Sequence, residues 1–432
     1  MLEVIDGRHQ GAPVHIARPG RGAVAADDAA AARGVVEDVR LRGDEAVLEH
    51  NGRVDRGTLE ERLRVDPDDL GRARSLVPPE LVDALEVMAE RMRVVCEHQR
   101  TESWLERRGD EVWGEIVRPV RRAGISLPGG RGAASAVVTC VVPAQVAGVE
   151  GVAVAAPARS SGQVPDAVVA ACAVVGVSEV YRMGGAPAIA ALAFGTGTVR
   201  PVDKIYGATG AEATHAARLA AGWVGAGPGG SDADLAVVAD SGADPRLVAA
   251  DLVANAEASP HGSHVLVTWA PALAERVIEM LDTEVLVNPS ADTVENALIE
   301  GGRAVLVRDL DHALDTVNAF APTSLELMVA DAERLLERVR SAGAVFLGAS
   351  SPPAAGMAAA GVSQLLPGGG AARWASGLEV GDFVTRTYVS GLEPSSLERL
   401  APHVAALAVA DGLPGLERAI GLRADPLGRD GS

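Results

Sequence analysis

The chain has 432 residues, 48% of them hydrophobic and only 3% aromatic, and its formal net charge at pH 7 is −19. A surface this acidic repels phosphate groups, which argues against nucleic acid as a partner. No run of about 18 apolar residues occurs without charges, and the N-terminus lacks the basic flank and apolar stretch of a signal peptide. The composition therefore predicts a cytoplasmic protein that binds neither nucleic acid nor a membrane.

Helices are predicted first along the chain, and strands begin near residue 123. Apolar residues recur at helical spacing in 25–50 and 79–100, and again within 379–432. Between these regions, short apolar runs alternate with helical patterns, which is typical of βαβ units in a mainly parallel sheet. The fold class is therefore predicted to be α/β. The candidate buried strands are 151–157, 179–185, 234–242, 264–270, 304–309 and 344–349.

The stretch "VANAEASPHGSH" (253–264) is the first candidate for a metal or acid/base site. His261 and His264 are close together, but Pro260 and Gly262 predict a turn, and His264 begins a candidate strand. Zinc requires about three or four N, S or O ligands, and this pattern has no third ligand nearby. A polar loop that leads into a buried strand is the favoured interpretation.

Other residues could carry acid/base chemistry. Glu257 lies near the end of a predicted helix, and Asp232 and Asp234 follow a glycine-rich turn. Two carboxylates in different environments can divide the roles of general acid and base. Such residues more often satisfy turn amides, and Thr323 and Ser324 would form a helix N-cap even without a function.

Glycine-rich turns could present backbone N–H groups to an anion at the start of a helix. None of them matches the G-x-G-x-x-G fingerprint of a dinucleotide site, and no G-x-S-x-G or P-loop motif is present. Simple chain reversal is therefore the favoured role for each. The turns are 127–135, 207–214, 225–234 and 366–373.

Five longer stretches follow one another with few gaps. They are "RPVRRAGISLPGG" (118–130), "GGAPAIAALAFGTGTVRPVDKIYG" (184–207), "LAVVADSGADPRLVAADLVANAEA" (235–258), "SAGAVFLGASSP" (341–352) and "GLEVGDFVTRTYVSGL" (377–392). In order and spacing they resemble the histidinol dehydrogenase family, from about residue 20 to 424. The resemblance implies a zinc- and NAD-associated dehydrogenase that oxidises an amino alcohol to an amino acid in two hydride transfers.

The resemblance also implies an architecture. The family has two related, incomplete Rossmann-like domains with parallel sheets, together with helical N- and C-terminal arms. Its subunits form an intertwined homodimer with shared active sites. Carried onto this sequence, the parts are an N-terminal arm (1–22), a discontinuous domain 1 (23–125 and 233–378), domain 2 (126–232) and a C-terminal helical arm (379–432).

The zinc ligands of the family do not carry over position by position. The Gln and His of its Q-A-E-H segment fall on Asn255 and Ala258, and the two remaining ligands fall on Met357 and Leu416. Methyl, thioether and isobutyl groups do not bind a divalent zinc ion as these ligands do. The sequence therefore predicts that the zinc site is lost.

The catalytic and cofactor positions differ as well. The family's catalytic Glu-His pair falls on Thr323 and Ser324, whose hydroxyls do not titrate near neutral pH. Its nicotinamide-contacting positions hold Ser126, Pro187 and Gly210. The sequence therefore predicts that the NAD site is degenerate. The positions that correspond to substrate contacts hold Ala233, Asp234, Gln364 and Asp411.

These substitutions predict a repurposed enzyme of specialised biosynthesis. It would act on a small polar metabolite, such as one that bears an amine, by acid/base chemistry that uses neither zinc nor NAD. Two alternatives are an NAD-dependent alcohol or histidinol-type dehydrogenase with a rearranged site, and a noncatalytic ligand-binding pseudoenzyme. The predicted catalytic residues are Glu257, His261, Asp234, Asp411, Thr323 and Ser324, and the predicted substrate-binding residues are Asn255, Ser126, Gln364, Met357 and Leu416.

Overall fold

Within the residues that the structure describes, the strands form three sheets, two of which are parallel throughout. The computed structural model describes residues 2–19, 26–54, 63–130, 132–207, 210–227 and 233–424. In chain order, the strands are β1 (Glu3–Asp6), β2 (Trp104–Arg108), β3 (Glu111–Pro119), β4 (Arg122–Ser126), β5 (Gly151–Ala156), β6 (Glu179–Arg182), β7 (Lys204–Tyr206), β8 (Gly225–Ala226), β9 (Leu235–Ala239), β10 (His264–Thr268), β11 (Gly302–Leu306), β12 (Ser324–Met328), β13 (Ala344–Leu347) and β14 (Val384–Leu392).

The helices of the described residues include those that follow most of the strands of the two parallel sheets. They are α1 (Ala26–Arg42), α2 (Asp44–Val54), α3 (Pro67–Arg72), α4 (Pro79–His98), α5 (Ala133–Ala147), α6 (Asp166–Val174), α7 (Gly185–Phe194), α8 (Ala211–Ala220), α9 (Pro245–Ala258), α10 (Pro271–Val287), α11 (Ala291–Gly301), α12 (Leu310–Phe320), α13 (Pro353–Ala359), α14 (Pro394–Ala410) and α15 (Pro414–Ala424). The start of α9 shows the local cause. Asp244 accepts a hydrogen bond from the backbone N–H of Arg246 (2.9 Å), and Pro245 occupies the first helical position.

The larger parallel sheet has the order β1-β11-β10-β9-β12-β13. The chain runs outward from β9 to β11 and then returns beside β9 to form β12 and β13, as in doubly wound folds. Every residue of β9 is apolar and buried. Leu235 and Val237 pack into the hydrophobic core on one face of the sheet, and Ala236 and Val238 pack into the core on the other. Helices therefore cover both faces.

The smaller parallel sheet repeats this topology with the order β6-β5-β4-β7-β8. The chain again runs outward from a central strand, β4, and returns beside it to form β7. The strand order therefore reverses between β4 and β7, where open α/β sheets bind ligands at the carboxyl ends of their strands. Two sheets of this kind confirm the predicted α/β fold with two Rossmann-like domains.

Close packing divides the chain into two units, Met1–Arg100 with Val120–Phe383, and Thr101–Pro119 with Val384–Ser432. The first unit holds both parallel sheets. In the second unit, β2, β3 and β14 form an antiparallel sheet in which β3 lies in the centre. The domain boundaries from the sequence stay a prediction, and residues 22, 23, 232 and 432 among them lie outside the described ranges.

Three local expectations differ from the structure. The N-terminal arm contributes strand β1, which pairs with β11, and the C-terminal arm contains strand β14 before its two α-helices. Thr323 and Ser324 do not cap a helix, because Ser324 is the first residue of β12 and pairs with Leu235. Backbone pairing with neighbouring strands outweighed the local signals in all three places. Among the described helices, none is long and apolar enough to cross a membrane.

Candidate functional site

Several predicted site residues lie at the amino ends of the strands in the larger sheet. The backbone N–H of Asp234 donates to Thr323 Oγ1 (3.0 Å), and the backbone N–H of Ser324 donates to the carbonyl oxygen of Asp234 (2.9 Å). Asn255 reaches the same edge from α9, where its side chain donates to the carbonyl oxygen of Ala233 (3.2 Å). We call Asp234, Asn255, Thr323 and Ser324 the amino-edge cluster. Parallel pairing brings them together because neighbouring strands start at one edge.

Asp234 forms an ion pair with Arg18, a residue that no motif in the sequence indicates. Arg18 Nε donates to Asp234 Oδ2 (2.8 Å), and the backbone N–H of Ser263 donates to Asp234 Oδ1 (3.1 Å). The guanidinium also donates to the carbonyl oxygen of Phe320 and lies 4.0 Å from the centre of its ring. Both carboxylate oxygens of Asp234 therefore already accept hydrogen bonds inside the protein.

Asn255 also contacts His264, the first residue of β10. Asn255 Nδ2 lies 2.8 Å from His264 Nδ1. Burial lowers the pKa of His264 to about 4, and the charge of Asp234 opposes this shift. His264 is therefore neutral near pH 7. Its sequence context indicated only the start of a buried strand after a polar loop.

A buried carboxyl pair lies next to the amino-edge cluster. Glu326 on β12 is fully buried, and its neighbouring titratable side chain is Asp251 on α9. Burial and the charge of Asp251 raise the pKa of Glu326, and burial raises the pKa of Asp251. Asp251 precedes Asn255 by one helical turn, and Glu326 follows Ser324 on the same face of β12. The pair therefore connects the two elements that carry the cluster.

Gln364 and Met357 lie near the smaller sheet. Gln364 Nε2 donates to the backbone carbonyl oxygen of Met357 (3.0 Å), and Ser135 Oγ donates to Gln364 Oε1 (3.2 Å). Ser135 lies in the first turn of α5, and Met357 lies on α13, which packs against α9. Gln364 thus joins the region of α9 to the helix that follows β4. Ser126, another predicted substrate-binding residue, is buried at the end of β4.

The remaining predicted residues do not join the cluster. Glu257 accepts hydrogen bonds from Asn288 Nδ2 (3.3 Å) and Ser290 Oγ (3.5 Å), which lie between α10 and α11. His261 is exposed in the turn after α9. Asp411 caps the end of α14, and Leu416 is half-exposed on α15. These last two residues belong to the second unit.

Glycines line the carboxyl edge of the smaller sheet where its strand order reverses. Gly132 precedes α5 with a φ of 77°, and Gly210 precedes α8 with a φ of 81°. Among the described residues, a Cβ atom at either position would meet no atom within 4 Å. At Gly207, directly after β7, a Cβ atom would lie 2.5 Å from the carbonyl oxygen of Ser126. The edge thus combines one tight backbone contact with open turns at two helix starts.

Substitution of Gly207 tests this contact. Gly207→Ala is expected to lower the free energy of unfolding by about 2 to 4 kcal/mol, because it adds a backbone clash to the strain of a positive φ. Gly132→Ala is the matched control, since its φ of 77° is also positive but a Cβ atom there would meet no atom of the described residues within 4 Å. It should cost only about 1 kcal/mol of strain. Urea denaturation of both variants measures the difference, and equal losses would contradict the tight contact.

The two cofactors of the family that the sequence resembles need different groups, since zinc needs ligating side chains and a dinucleotide needs backbone N–H donors. In the described part of one chain, no group of three or more His, Cys, Asp or Glu side chains is placed to hold a metal ion. Within one chain, these residues therefore do not form a complete zinc site, and no catalytic step is assigned to a metal. The open glycine turns at the starts of α5 and α8 do fit the pyrophosphate of a dinucleotide, which binds backbone N–H groups at helix starts.

Comparison with known proteins gives one consistent result. The Histidinol dehydrogenase family profile matches residues 21–424. A histidinol dehydrogenase of Synechococcus sp. is 39% identical over 403 residues, which is 93% of each chain. That of Moorella thermoacetica is 37% identical over 98% of this chain and 100% of its own length. The crystal structure of histidinol dehydrogenase from Elizabethkingia anophelis superimposes with a TM-score of 0.91 at 26% identity, over 99% of this chain and 98% of that one.

These relatives contradict two expectations, a repurposed or noncatalytic function and the absence of cofactors. Eight relatives with 36 to 41% identity, spread over most of the chain, all carry the name histidinol dehydrogenase. The expectations rested on single side chains, whereas dinucleotides are bound largely through backbone groups, which side-chain substitutions leave in place. Zinc and NAD are therefore the cofactors that the family indicates. In sequence and in fold, the chain belongs to the histidinol dehydrogenase family.

Proposed function

We propose that the protein is an NAD-dependent oxidoreductase that oxidises an amino alcohol, with L-histidinol as the first candidate substrate. The observation that carries the proposal is identity of 36 to 41% over 88 to 98% of the chain with relatives of that name. The two doubly wound sheets support it, because one of them offers a nucleotide crevice and the other offers the polar amino-edge cluster.

Different residues of this chain would bind the dinucleotide and the substrate. The turns that precede α5 and α8 would hold the dinucleotide, which when bound supplies the hydride acceptor. Thr323 Oγ1 already accepts a hydrogen bond from the backbone of Asp234, so its own proton remains to be donated to an oxygen of the substrate. Gln364 forms hydrogen bonds with Met357 of α13 and with Ser135 of α5. It would therefore hold the substrate-binding residues near α9 close to the dinucleotide-binding turn before α5.

The dimer is part of this proposal. The resemblance places Asp411 and Leu416 in an active site shared between subunits, and both residues lie in the second unit of the chain. We therefore propose a homodimer that uses residues of the second unit to complete each site. Size-exclusion chromatography with light scattering tests it, and a monomer with full activity would contradict it.

Turnover of L-histidinol tests the function directly. The protein is expected to produce NADH from NAD and L-histidinol, measured by the absorbance of NADH, with two molecules of NADH for each molecule fully oxidised, as in the family. The assay is run with EDTA and with added Zn²⁺, so that a metal requirement is read separately from activity.

Matched variants assign the activity to the site. Thr323→Val removes a hydroxyl from the amino-edge cluster and is expected to lower kcat/KM about 100-fold. Glu300→Gln, on the exposed side of α11, should leave activity unchanged. The proposal fails if the folded protein forms no NADH in either arm, or if both variants lower the rate equally.

A further inference from the structure

The side chain of Asn255 makes two hydrogen bonds with the same end of its carboxamide. Nδ2 lies 3.2 Å from the carbonyl oxygen of Ala233 and 2.8 Å from Nδ1 of His264. A backbone carbonyl can only accept, so the amino group of Asn255 must face Ala233. The opposite orientation would place two oxygens against each other. Hydrogen-bonding chemistry therefore sets which end of the carboxamide faces the protein.

The same contact determines the state of the His264 ring. The second proton of Asn255 Nδ2 faces His264 Nδ1, so Nδ1 must be the unprotonated acceptor and the ring proton must lie on Nε2. Nε2 is buried and has no partner among the described residues, whichever tautomer is present. The hydrogen bond with Asn255 therefore determines the tautomer of His264. The low pKa of His264 agrees with a neutral ring.

The carboxamide oxygen of Asn255 is left for a ligand. It accepts no hydrogen bond within the described ranges, and it is not one of the fully buried atoms without a partner. The nearby carboxylate of Asp234 is already bound by Arg18 and by the backbone of Ser263. Asn255 Oδ1 is thus the acceptor that the amino-edge cluster can offer to an incoming hydrogen-bond donor.

We propose that His264 is a positioning residue, which holds the Asn255 carboxamide so that its oxygen accepts a hydrogen bond from an ammonium or hydroxyl group of the substrate. The identity of the ligand as an amino alcohol rests on the proposed function. The state of the His264 ring and the orientation of Asn255 do not. The sequence alone could not indicate this role, because the hydrogen bond joins a helix end to a strand start.

The ring state is tested without any ligand. Long-range ¹⁵N–¹H spectra of the protein labelled in its histidines, with the His264 signal assigned by His264→Asn, should show a neutral ring with its proton on Nε2 at pH 7. A protonated ring, or a proton on Nδ1, would overturn the proposal even if the enzyme oxidises L-histidinol.

The effect on binding is tested by a double-mutant cycle. His264→Leu and Asn255→Leu are each expected to raise KM for L-histidinol about tenfold or more, with a smaller change in kcat. The double variant should be no worse than Asn255→Leu, because His264 acts through Asn255. His264→Asn supplies an amide oxygen close to the place of Nδ1, so it should restore most of the lost affinity.

Ser263→Ala is the matched control. Ser263 is the adjacent residue, it is fully buried, and its hydroxyl has no partner within the described residues. The KM of Ser263→Ala for L-histidinol should equal that of the wild type. Additive effects in the double variant, or a loss in His264→Asn as large as in His264→Leu, would overturn the positioning role. Absence of L-histidinol binding in the wild type would instead count against the proposed function, and the ring spectra would still decide the orientation.

Discussion

Replacement of Arg18 with methionine is expected to lower the free energy of unfolding by about 3 to 5 kcal/mol, measured by urea denaturation. The reason is the carboxylate that it leaves behind. The Asp234 side chain is only 4% exposed, and Arg18 is its charged partner at 2.8 Å. Without that partner, a buried charge loses its compensation, and the backbone carbonyl of Phe320 loses a donor.

Two further variants separate this effect from simple loss of a side chain. The double variant Arg18→Met with Asp234→Asn should recover part of the lost stability, because no unpaired charge remains buried. Arg8→Met breaks the ion pair with Asp6, in which both side chains are 43% exposed, and should have little effect. If Arg8→Met and Arg18→Met destabilise the protein equally, the pair of Arg18 and Asp234 does not have the importance assigned to it.

Wild-type protein is expected to lose stability as the pH rises from about 5 to 8, and Glu326→Gln is expected to lose much less. The pKa of Glu326 is raised in the folded protein, chiefly by burial, whereas the pKa of the unfolded carboxyl group is about 4.3. Folding therefore takes up a proton above that pH. The stabilising contribution is complete below the unfolded pKa and falls by up to about 1.4 kcal/mol per pH unit until the folded pKa is reached.

The geometry explains why a proton is needed. Neither carboxylate oxygen of Glu326 has a hydrogen-bond donor within the described ranges, and its titratable neighbour is the carboxyl group of Asp251. Two ionised carboxylates repel each other and cannot donate. The strands on either side, β9 and β13, contribute only apolar residues, and α13 carries no titratable side chain. A proton held between Asp251 and Glu326 turns the repulsion into a hydrogen bond.

Denaturation with urea at pH 5 and pH 8 measures this effect. The Gln side chain keeps a donor for Asp251 at every pH, so the stability of Glu326→Gln relative to wild type should improve by about 2 kcal/mol or more between the two pH values. Glu300→Gln, an exposed change on α11, should follow the wild type. Parallel pH profiles for the wild type and Glu326→Gln would contradict a raised pKa of Glu326.

Much of the fold could be predicted because its signals are local. The apolar runs at 234–242 and 264–270 became β9 and β10, and the helical pattern at 79–100 became α4. β12 was missed because Pro322, Thr323 and Ser324 have the local signature of a helix start. Only pairing with β9 and β13 shows that the segment "SLELM" is a strand. Local patterns do not contain that pairing.

The proximity of some candidate residues followed from the fold, whereas their roles stay predictions. Asp234, Thr323 and Ser324 were singled out from the residues themselves and Asn255 through the family resemblance, and the structure places all four at one edge of the sheet. The substitutions at these positions led to a function without cofactors, which the relatives contradict. A comparison of side chains one position at a time does not include the backbone groups and neighbouring residues that bind the same ligand.

By itself, the sequence determined the α/β class, the order of most helices and strands, and the positions at which polar residues could gather, since these depend on spacing along the chain. Only the tertiary structure decided the partners of those residues. Arg18 meets Asp234 across 216 positions, and Asp234 meets Thr323 across 89. Whether a carboxylate is neutralised, or an amide oxygen is left free, depends on burial and on such distant partners, and neither has a period or a motif in the sequence.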